Sequence, residues 1–446
     1  MTTATHTVRS ARRLHGAALL AALVACATCT HGDITVVEPA AKGPGDTLAL
    51  TIVPGEAGAE LGWTAGIPGA EVIIAPSVKP NPDGPGDTAT GPPIATLVTD
   101  STGHARVPDL PSGWYYVEVR RWLTAAERAR LAAGADLVGF ATQQTVERGG
   151  GTLYVPGSHV HSLVVSEVSQ QPEWDPANGC CYEYGGYLEL ANNADTTVYL
   201  DGLVLGLFGA NTESSVFPGR CAREEPADND PNGIWVFQQD SHPGTGHDYP
   251  LAPGAVAVIA TDAIDHRANS PTYGLDLSHA NFEMAGFADV DNPAVPNSIP
   301  MGWNDRGNGG GHGLIFDMGT AWGIVVALPV DTTSMPTRQY DPVGYGATMQ
   351  RRIPADRILD AFLVFWPDLV NVWKEMCPHV VNSRFDSRPA ALLWTYLPDG
   401  TWHALGGYSV QRSVAFVRPD GRKILQDTRS TEADFFVGLR TPFQLP

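Results

Sequence analysis

The sequence predicts an all-β protein: two β-sandwiches in tandem, with long loop insertions and few short helices. Three observations carry this expectation. Gly and Pro number 48 and 36, about a fifth of the chain against about 12% in average usage. The hydrophobic fraction is nevertheless 43%, so the chain buries cores while turning often. Short alternating or β-branched runs recur along it, bounded by Gly, Pro, Asn and Asp. At 446 residues it also exceeds what a single hydrophobic core usually serves. A formal charge of −20 leaves no basic footprint for phosphates and argues against nucleic acid as a partner.

Residues 1–25 read as a processing signal and lie outside the fold argument. Arg9, Arg12 and Arg13 form a charged head, and residues 16–25 a short apolar run. That run ends in Leu23-Val24-Ala25-Cys26, which resembles the lipobox of bacterial lipoproteins. The resemblance implies lipidation at the Cys26 thiol. With Ala27 rather than Asp in the next position, it also implies residence at the outer membrane. Cys26-Ala-Thr-Cys29-Thr-His31 is not a haem-attachment motif, because Thr30 separates Cys29 from His31. Outside the cytoplasm Cys180, Cys181 and Cys221 are disulfide candidates. Adjacent cysteines rarely bond each other, which makes Cys221 the natural partner of one of them and leaves open which one.

Residues 26–46 read as a tether. Strand-like runs follow at 47–53, 67–74, 94–99 and 105–119, with a Pro/Gly-rich loop before Pro93. Gly69 to Val72, Thr99 to Gly103, and Leu110-Pro-Ser-Gly113-Trp-Tyr-Tyr-Val117 carry a pattern that resembles the carboxypeptidase regulatory-like and prealbumin-type modules. The resemblance covers residues 47–120 and implies a seven-stranded sandwich acting as a spacer. Residues 121–158 read as a connector with a short helix and two strand-like segments, 137–146 and 152–155, that lead to the second sandwich. In it, Thr124 and Glu127 have capping-box spacing ahead of a short helix, and Glu127 and Arg130 are placed to pair on its exposed face.

Residues 159–446 read as the second sandwich, with insertions at 208–250 and 263–316. Its clearest signal is the stretch 187–202. Leu188 and Leu190 alternate with Tyr187, Glu189 and Ala191, and Asn192, Asn193, Asp195 and Asp201-Gly202 supply turn chemistry. Val164-Val-Ser-Glu-Val168, the 187–202 stretch and Asp427 to Phe435 together resemble a lamin-tail-type domain, an immunoglobulin-like sandwich. The closing pattern is one residue out of step at Ser430-Thr431-Glu432. The pieces at 260–266, 276–283 and 289–297 resemble an outer-membrane lipoprotein family known only as domain-of-unknown-function family 4876. That resemblance implies a TonB-dependent receptor as neighbour and partner, and it assigns no catalytic residue. Insertions of this length read either as a recognition surface or as cover for a sheet edge. The segment 362–381 reads as a packed helix interrupted by Pro367, too broken to span a membrane.

Two constellations carry metal chemistry. Asp228, Asp230 and Asn232, with Gly233 at the sharp turn, have the oxygen-ligand spacing of a calcium loop, although Gln239 stands where a bidentate carboxylate belongs. His159 and His161 put two imidazoles on one face of an extended segment, as a transition metal would require. No nucleophile elbow, zinc-protease helix, phosphate loop or dinucleotide fingerprint is present. The leading expectation is therefore a lipid-anchored outer-membrane binding or accessory protein rather than an enzyme. A cell-surface hydrolase acting on polysaccharide and a structural or adhesive surface protein are the alternatives.

Overall fold

The computed structural model of the chain describes residues 46–54, 56–79, 89–131, 137–148, 151–169, 173–177, 180–182, 184–208, 230, 232–236, 238–284, 290–300, 321–331, 334–340, 348–365, 390–391, 394–396, 402–404, 406–418 and 420–445. Seven strands form the first sheet: β1 (Asp46–Pro54), β2 (Glu71–Ser77), β3 (Ala95–Val98), β4 (His104–Leu110), β5 (Trp114–Trp122), β6 (Leu137–Glu147) and β7 (Thr152–His161). Their order is β3-β2-β5-β6-β7-β1-β4. Strand β7 joins the two layers. Residues 152–157 run parallel to β1, and residues 158–161 pair antiparallel with β6. The bend falls at Gly157, where a Cβ would stand 2.5 Å from Ile67 Cδ1. Between the layers, alternate residues of β1 (Leu48, Leu50, Ile52) meet Val72, Ile74, Val117, Val119 and Phe140 in one core.

Both strand-like segments of the connector form, as β6 and β7, and they belong to the first sheet. Residues 114–122 pair along their whole length with β6, so the first sheet runs to His161 and does not end at residue 120. The capping box forms as expected. Glu127 N donates to Thr124 Oγ1 (3.2 Å), and Thr124 N donates to Glu127 Oε2 (2.7 Å), at the start of the helix Ala125–Arg128. Glu127 is held by Arg121 at 2.6 Å instead of Arg130, because β5 brings the Arg121 guanidinium to the helix start.

Two six-stranded sheets make the second sandwich. One has the order Phe282–Glu283, Val256–Ala260, Tyr187–Asn192, Leu163–Ser169, Tyr408–Arg412, Phe435–Leu439. The other has the order Ile299–Pro300, Gln238–Ser241, Val204–Phe208, Ala321–Ala327, Ile358–Phe365, Ala390–Ala391. Leu188, Leu190, Val165, Ile259, Leu205, Ile324 and Phe362 fill the space between them. Phe362 to Phe365 continue a strand where the sequence reading began a helix, because they pair with Ala321 to Ile324.

Both sandwich faces carry a further layer, and the insertions supply much of it. Gly233–Val236 joins Thr348–Pro354 and Thr337–Tyr340 in a three-stranded sheet over the second face. Ala263, Leu277, Ala280 and Val295 cover Tyr187, Val258 and Ala260 on the first. All six residues of Tyr187–Asn192 are consequently buried, not the apolar half alone. The rest of the insertions, residues 209–229, 231, 237, 285–289 and 301–316, lies outside the described residues.

The two sandwiches meet along a seam of aromatic and guanidinium groups. Trp122 and Phe416 touch edge to face at 5.5 Å, Arg120 lies over Phe416 and Arg418 over Trp122. His161 Nδ1 sits 2.7 Å from Asp427 Oδ2.

A buried ion cluster closes the second sandwich. Arg412, 1% exposed, reaches Asp360 at 2.5 Å, Asp434 at 3.4 Å and Asp427 at 3.9 Å. It also donates to the carbonyls of Val165 (2.6 Å) and Gln426 (2.8 Å). Burial pushes the Asp434 carboxyl up to about 7 against the pull of Arg412. Asp427, facing His161 and Arg412, is held well below the usual carboxylate range despite its burial.

Candidate functional site

Polar groups on a covered sheet face must find partners. On the first sheet that face carries two glutamates directly opposite each other, Glu167 and Glu189, both fully buried. A β-bulge sets the pairing. The register shifts after Glu189, so Ser166 and Glu167 together oppose that one residue. Ser166 Oγ then donates to Glu189 Oε1 at 2.8 Å. Burial pushes the Glu189 carboxyl up to about 8, and the charge of Glu167 adds to the rise, while Ser166 and the Phe443 N–H oppose it. The Tyr187 hydroxyl donates to Glu167, and burial together with that carboxylate raises the phenol well above its ordinary value.

The remaining acceptor sites of the two glutamates hold the C-terminal residues. Thr441 N donates to Glu167 Oε1 (3.0 Å) and Thr441 Oγ1 to Oε2 (3.2 Å). Phe443 N donates to Glu189 Oε2 (2.7 Å), and Ser409 Oγ to Glu167 Oε1 (2.6 Å). One buried carboxyl pair thus fastens both the strand starting at Tyr408 and the segment leaving Leu439.

Those two elements form one wall of an open pocket of about 450 Å³. Gly406, Gly407, Tyr408, Leu439 and Arg440 face Thr272 to Leu275 of the second insertion. Arg440 links the walls, since its N–H donates to Gly407 O at 3.1 Å and its guanidinium to Tyr273 O. Gly407 has φ +81°, and Tyr273 packs so close that a Cβ there would lie 2.9 Å from Cδ1. Tyr408 is 41% exposed and Leu439 65%, so both present side-chain surface to solvent.

The opposite wall is set by buried polar anchors. Asp175, inside the Glu173–Asp175 strand, accepts from Ser270 Oγ, Thr272 N (3.3 Å) and Ala177 N (2.8 Å). His266 is fully buried, with Nε2 2.8 Å from Asp262 O and Nδ1 2.7 Å from Tyr182 Oη. Only a donor suits a carbonyl, so Nε2 carries the hydrogen and Nδ1 accepts from Tyr182. Burial also lowers the His266 pKa, which favours this neutral form. Among the residues lining the pocket, Arg440 is the single charged side chain.

The sites expected from sequence lie elsewhere. Asp230 is engaged by the chain's own cation: Arg352 Nη1 is 2.8 Å from Oδ2, and Asn232 donates to Oδ1 from its backbone (2.8 Å) and its side chain (2.9 Å). Asp228, the first residue of the calcium spacing, lies outside the described residues. His159 and His161 do share a face, their rings 6.2 Å apart. His159 packs on Phe140 and His161 turns to Asp427, in the first sheet and at the seam. Among the described residues no three His, Cys, Asp or Glu side chains converge to hold a metal ion. The strand Cys180–Tyr182 pairs with Glu173–Asp175, while Cys26 and Cys221 lie outside the described residues.

Alternation in the sequence places Glu189 on the face opposite Leu188 and Leu190 but does not show Glu167 as its partner, and nothing in the sequence marks Tyr273, Tyr408 or Arg440. Glutamates inside two apolar strands were the available signal. The register that joins them was not.

Comparison with known proteins bears on the fold. No curated protein matches this chain. The crystal structure of a DUF4876 family protein from Bacteroides thetaiotaomicron superposes with a TM-score of 0.51 at 17% identity, over 90% of this chain and 98% of that one. That likeness shows a shared fold. A candidate carbohydrate binding protein from Pseudomonas aeruginosa aligns over 26% of this chain and 90% of its own, at 13% identity. Another from Bacteroides uniformis aligns over 72% of this chain and 100% of its own, at 9% identity. Both have TM-scores of 0.16, too low to carry an argument. The family model described as Protein of unknown function (DUF4876) matches residues 252–441, a span that includes both walls of the pocket.

Proposed function

We propose that the protein is a lipid-anchored binding protein of the outer membrane, that its ligand seats between Thr272–Leu275 and Tyr408–Arg440, and that it serves a TonB-dependent receptor. The pocket carries this reading. It is open, of a size that suits a small ligand, and lined by tyrosine, leucine and backbone groups with one guanidinium. Binding needs no more than such a surface on a rigid scaffold. Hydrolysis of polysaccharide is less well supported, because it calls for carboxyl groups flanking the bond to be cut. Among the described residues no carboxylate lines this pocket, and Glu167 and Glu189 are buried beneath its wall.

Two measurements test the reading. Leu439 lines the pocket and is mostly exposed, so Leu439→Trp fills the site without disturbing the core. Native mass spectrometry of protein purified gently from its own outer membranes is expected to show a bound small molecule in the wild type and its loss in this variant. Equal occupancy in both would place the ligand elsewhere. Cys26→Ala is expected to move the protein from the membrane fraction to the soluble fraction, and with it to end co-purification with the receptor. A variant that stays with the membrane would sink the anchor.

A further inference from the structure

We infer that the Glu167–Glu189 carboxyl pair is a proton-dependent clasp for this pocket. With one proton on the pair the C-terminal segment is fastened and the wall is formed; loss of that proton releases the segment. The pair holds the wall at four points, through Ser409, Thr441 N, Thr441 Oγ1 and Phe443 N. All four run to oxygens of two carboxyls that face each other across neighbouring strands with no exposure to water.

The groups around the pair make both charges together costly. On its own strands lie Ser166, which donates to Glu189, and Tyr187, whose hydroxyl donates to Glu167. The Tyr408–Arg412 strand places Gln411 opposite Glu167, neutral and engaged with Ser409, Leu439 O and Thr441. The Val256–Ala260 strand places Val258 opposite Glu189 and holds no titratable group. From the C-terminal segment comes one cation, Arg440, whose charge reaches Tyr187 and His266. The insertion contributes the neutral His266, while Asp265 and Asp276 are tied at the surface by Arg267. One guanidinium thus stands against two carboxyls in a dry site, where like charges repel most strongly. Opening the segment to water relieves that repulsion, and it takes Leu439 and Arg440 out of the pocket.

The effect on ligand affinity rests on the binding role proposed above, whereas the clasp is tested without ligand. Hydrogen exchange of the full chain, corrected for intrinsic base catalysis, is followed from about pH 6 to about pH 9.5. Protection of residues 440–445 is expected to fall by about tenfold per pH unit up to about pH 8, where the closed pair still holds a proton that the open segment releases, and to level off above it. Glu189→Gln, whose amide oxygen still accepts from Phe443 N and whose amide nitrogen makes Ser166 Oγ the acceptor, is expected to abolish that fall. Protection that is insensitive to pH, or that declines equally in both proteins or equally in the Glu71–Ser77 strand, overturns the clasp. Should the variant fold poorly, infrared spectra of the wild type carrying carboxyl-labelled glutamate, which separates its bands from those of Asp360 and Asp434, decide: the band of a buried protonated glutamate must disappear over the same pH range, and its absence at neutral pH overturns the proposal. A failed clasp leaves the Leu439→Trp result standing, and a failed Leu439→Trp result leaves the clasp standing.

Discussion

Arg412→Met is expected to cost about 3–5 kcal/mol of stability, the range found when one partner of a buried ion pair is removed. The guanidinium is 1% exposed and is the nearest cation to Asp360 and Asp434, with Asp427 at 3.9 Å. Methionine would fill most of the volume but leave three carboxyls facing one another in a dry site. The loss also strips the hydrogen bonds to Val165 O and Gln426 O, which tie the Leu163–Ser169 strand to the segment before Asp427. For a unit of this size the unfolding midpoint should drop by roughly 10 °C. Urea unfolding near neutral pH measures it. The deficit should shrink on acidification, as protonation of Asp434 and Asp360 relieves the repulsion. A variant within about 1 kcal/mol of the wild type would show that the cluster is a bystander.

The second large effect is in the pH profile of stability. The Glu189 carboxyl stands at about 8 in the fold against an ordinary value of 4.5. Between those values the folded chain keeps a proton that the unfolded chain has released. The contribution is therefore complete below about pH 4.5 and is lost as pH rises through 8, at about 1.4 kcal/mol per pH unit. Asp434, raised to about 7 from 3.8, acts with the same sign in a lower window. Asp427 acts oppositely: its carboxylate is favoured by the fold, so its contribution is lost only in strong acid. Glu189→Gln carries no proton to lose. Its stability should fall less steeply than the wild type's between about pH 5 and 8, by about 1.4 kcal/mol per unit, so that the variant gains most on the alkaline side. Parallel curves for the two proteins would mean that Glu189 is not the proton acceptor.

What could be read from the sequence follows from the range of the forces involved. Strands, turns and the capping box depend on neighbours a few residues apart, and the Thr124–Glu127 box forms as its spacing requires. Alternation placed Leu188 and Leu190 in the core correctly. The same alternation left Glu189 with two options, solvent or a hydrogen bond, because a strand's sequence does not say what covers its far side. The helix expected over 362–381 is a strand at its start for a related reason, and residues 366–381 lie outside the described residues. Phe362 to Phe365 are apolar in either conformation, and pairing with Ala321–Ala327 decided between them. Asp230 shows the limit of motif spacing, which does not reveal that a strand more than a hundred residues on brings Arg352 to the same carboxylate.

An all-β chain with a lipobox-like head, two strand-rich regions and polar turns between them is legible from the residues alone. Those features rest on composition and on contacts within a few residues. Only the tertiary structure decided that Glu167 and Glu189 meet, since one bulge in one strand pair sets their register. It also decided that the C-terminal residues, hundreds of positions away in the chain, supply the donors that satisfy them. The pocket belongs to the same class of fact. Its walls come from residues 272–275, 406–408 and 439–440, which share no local pattern and are brought together by the burial of charge beneath them.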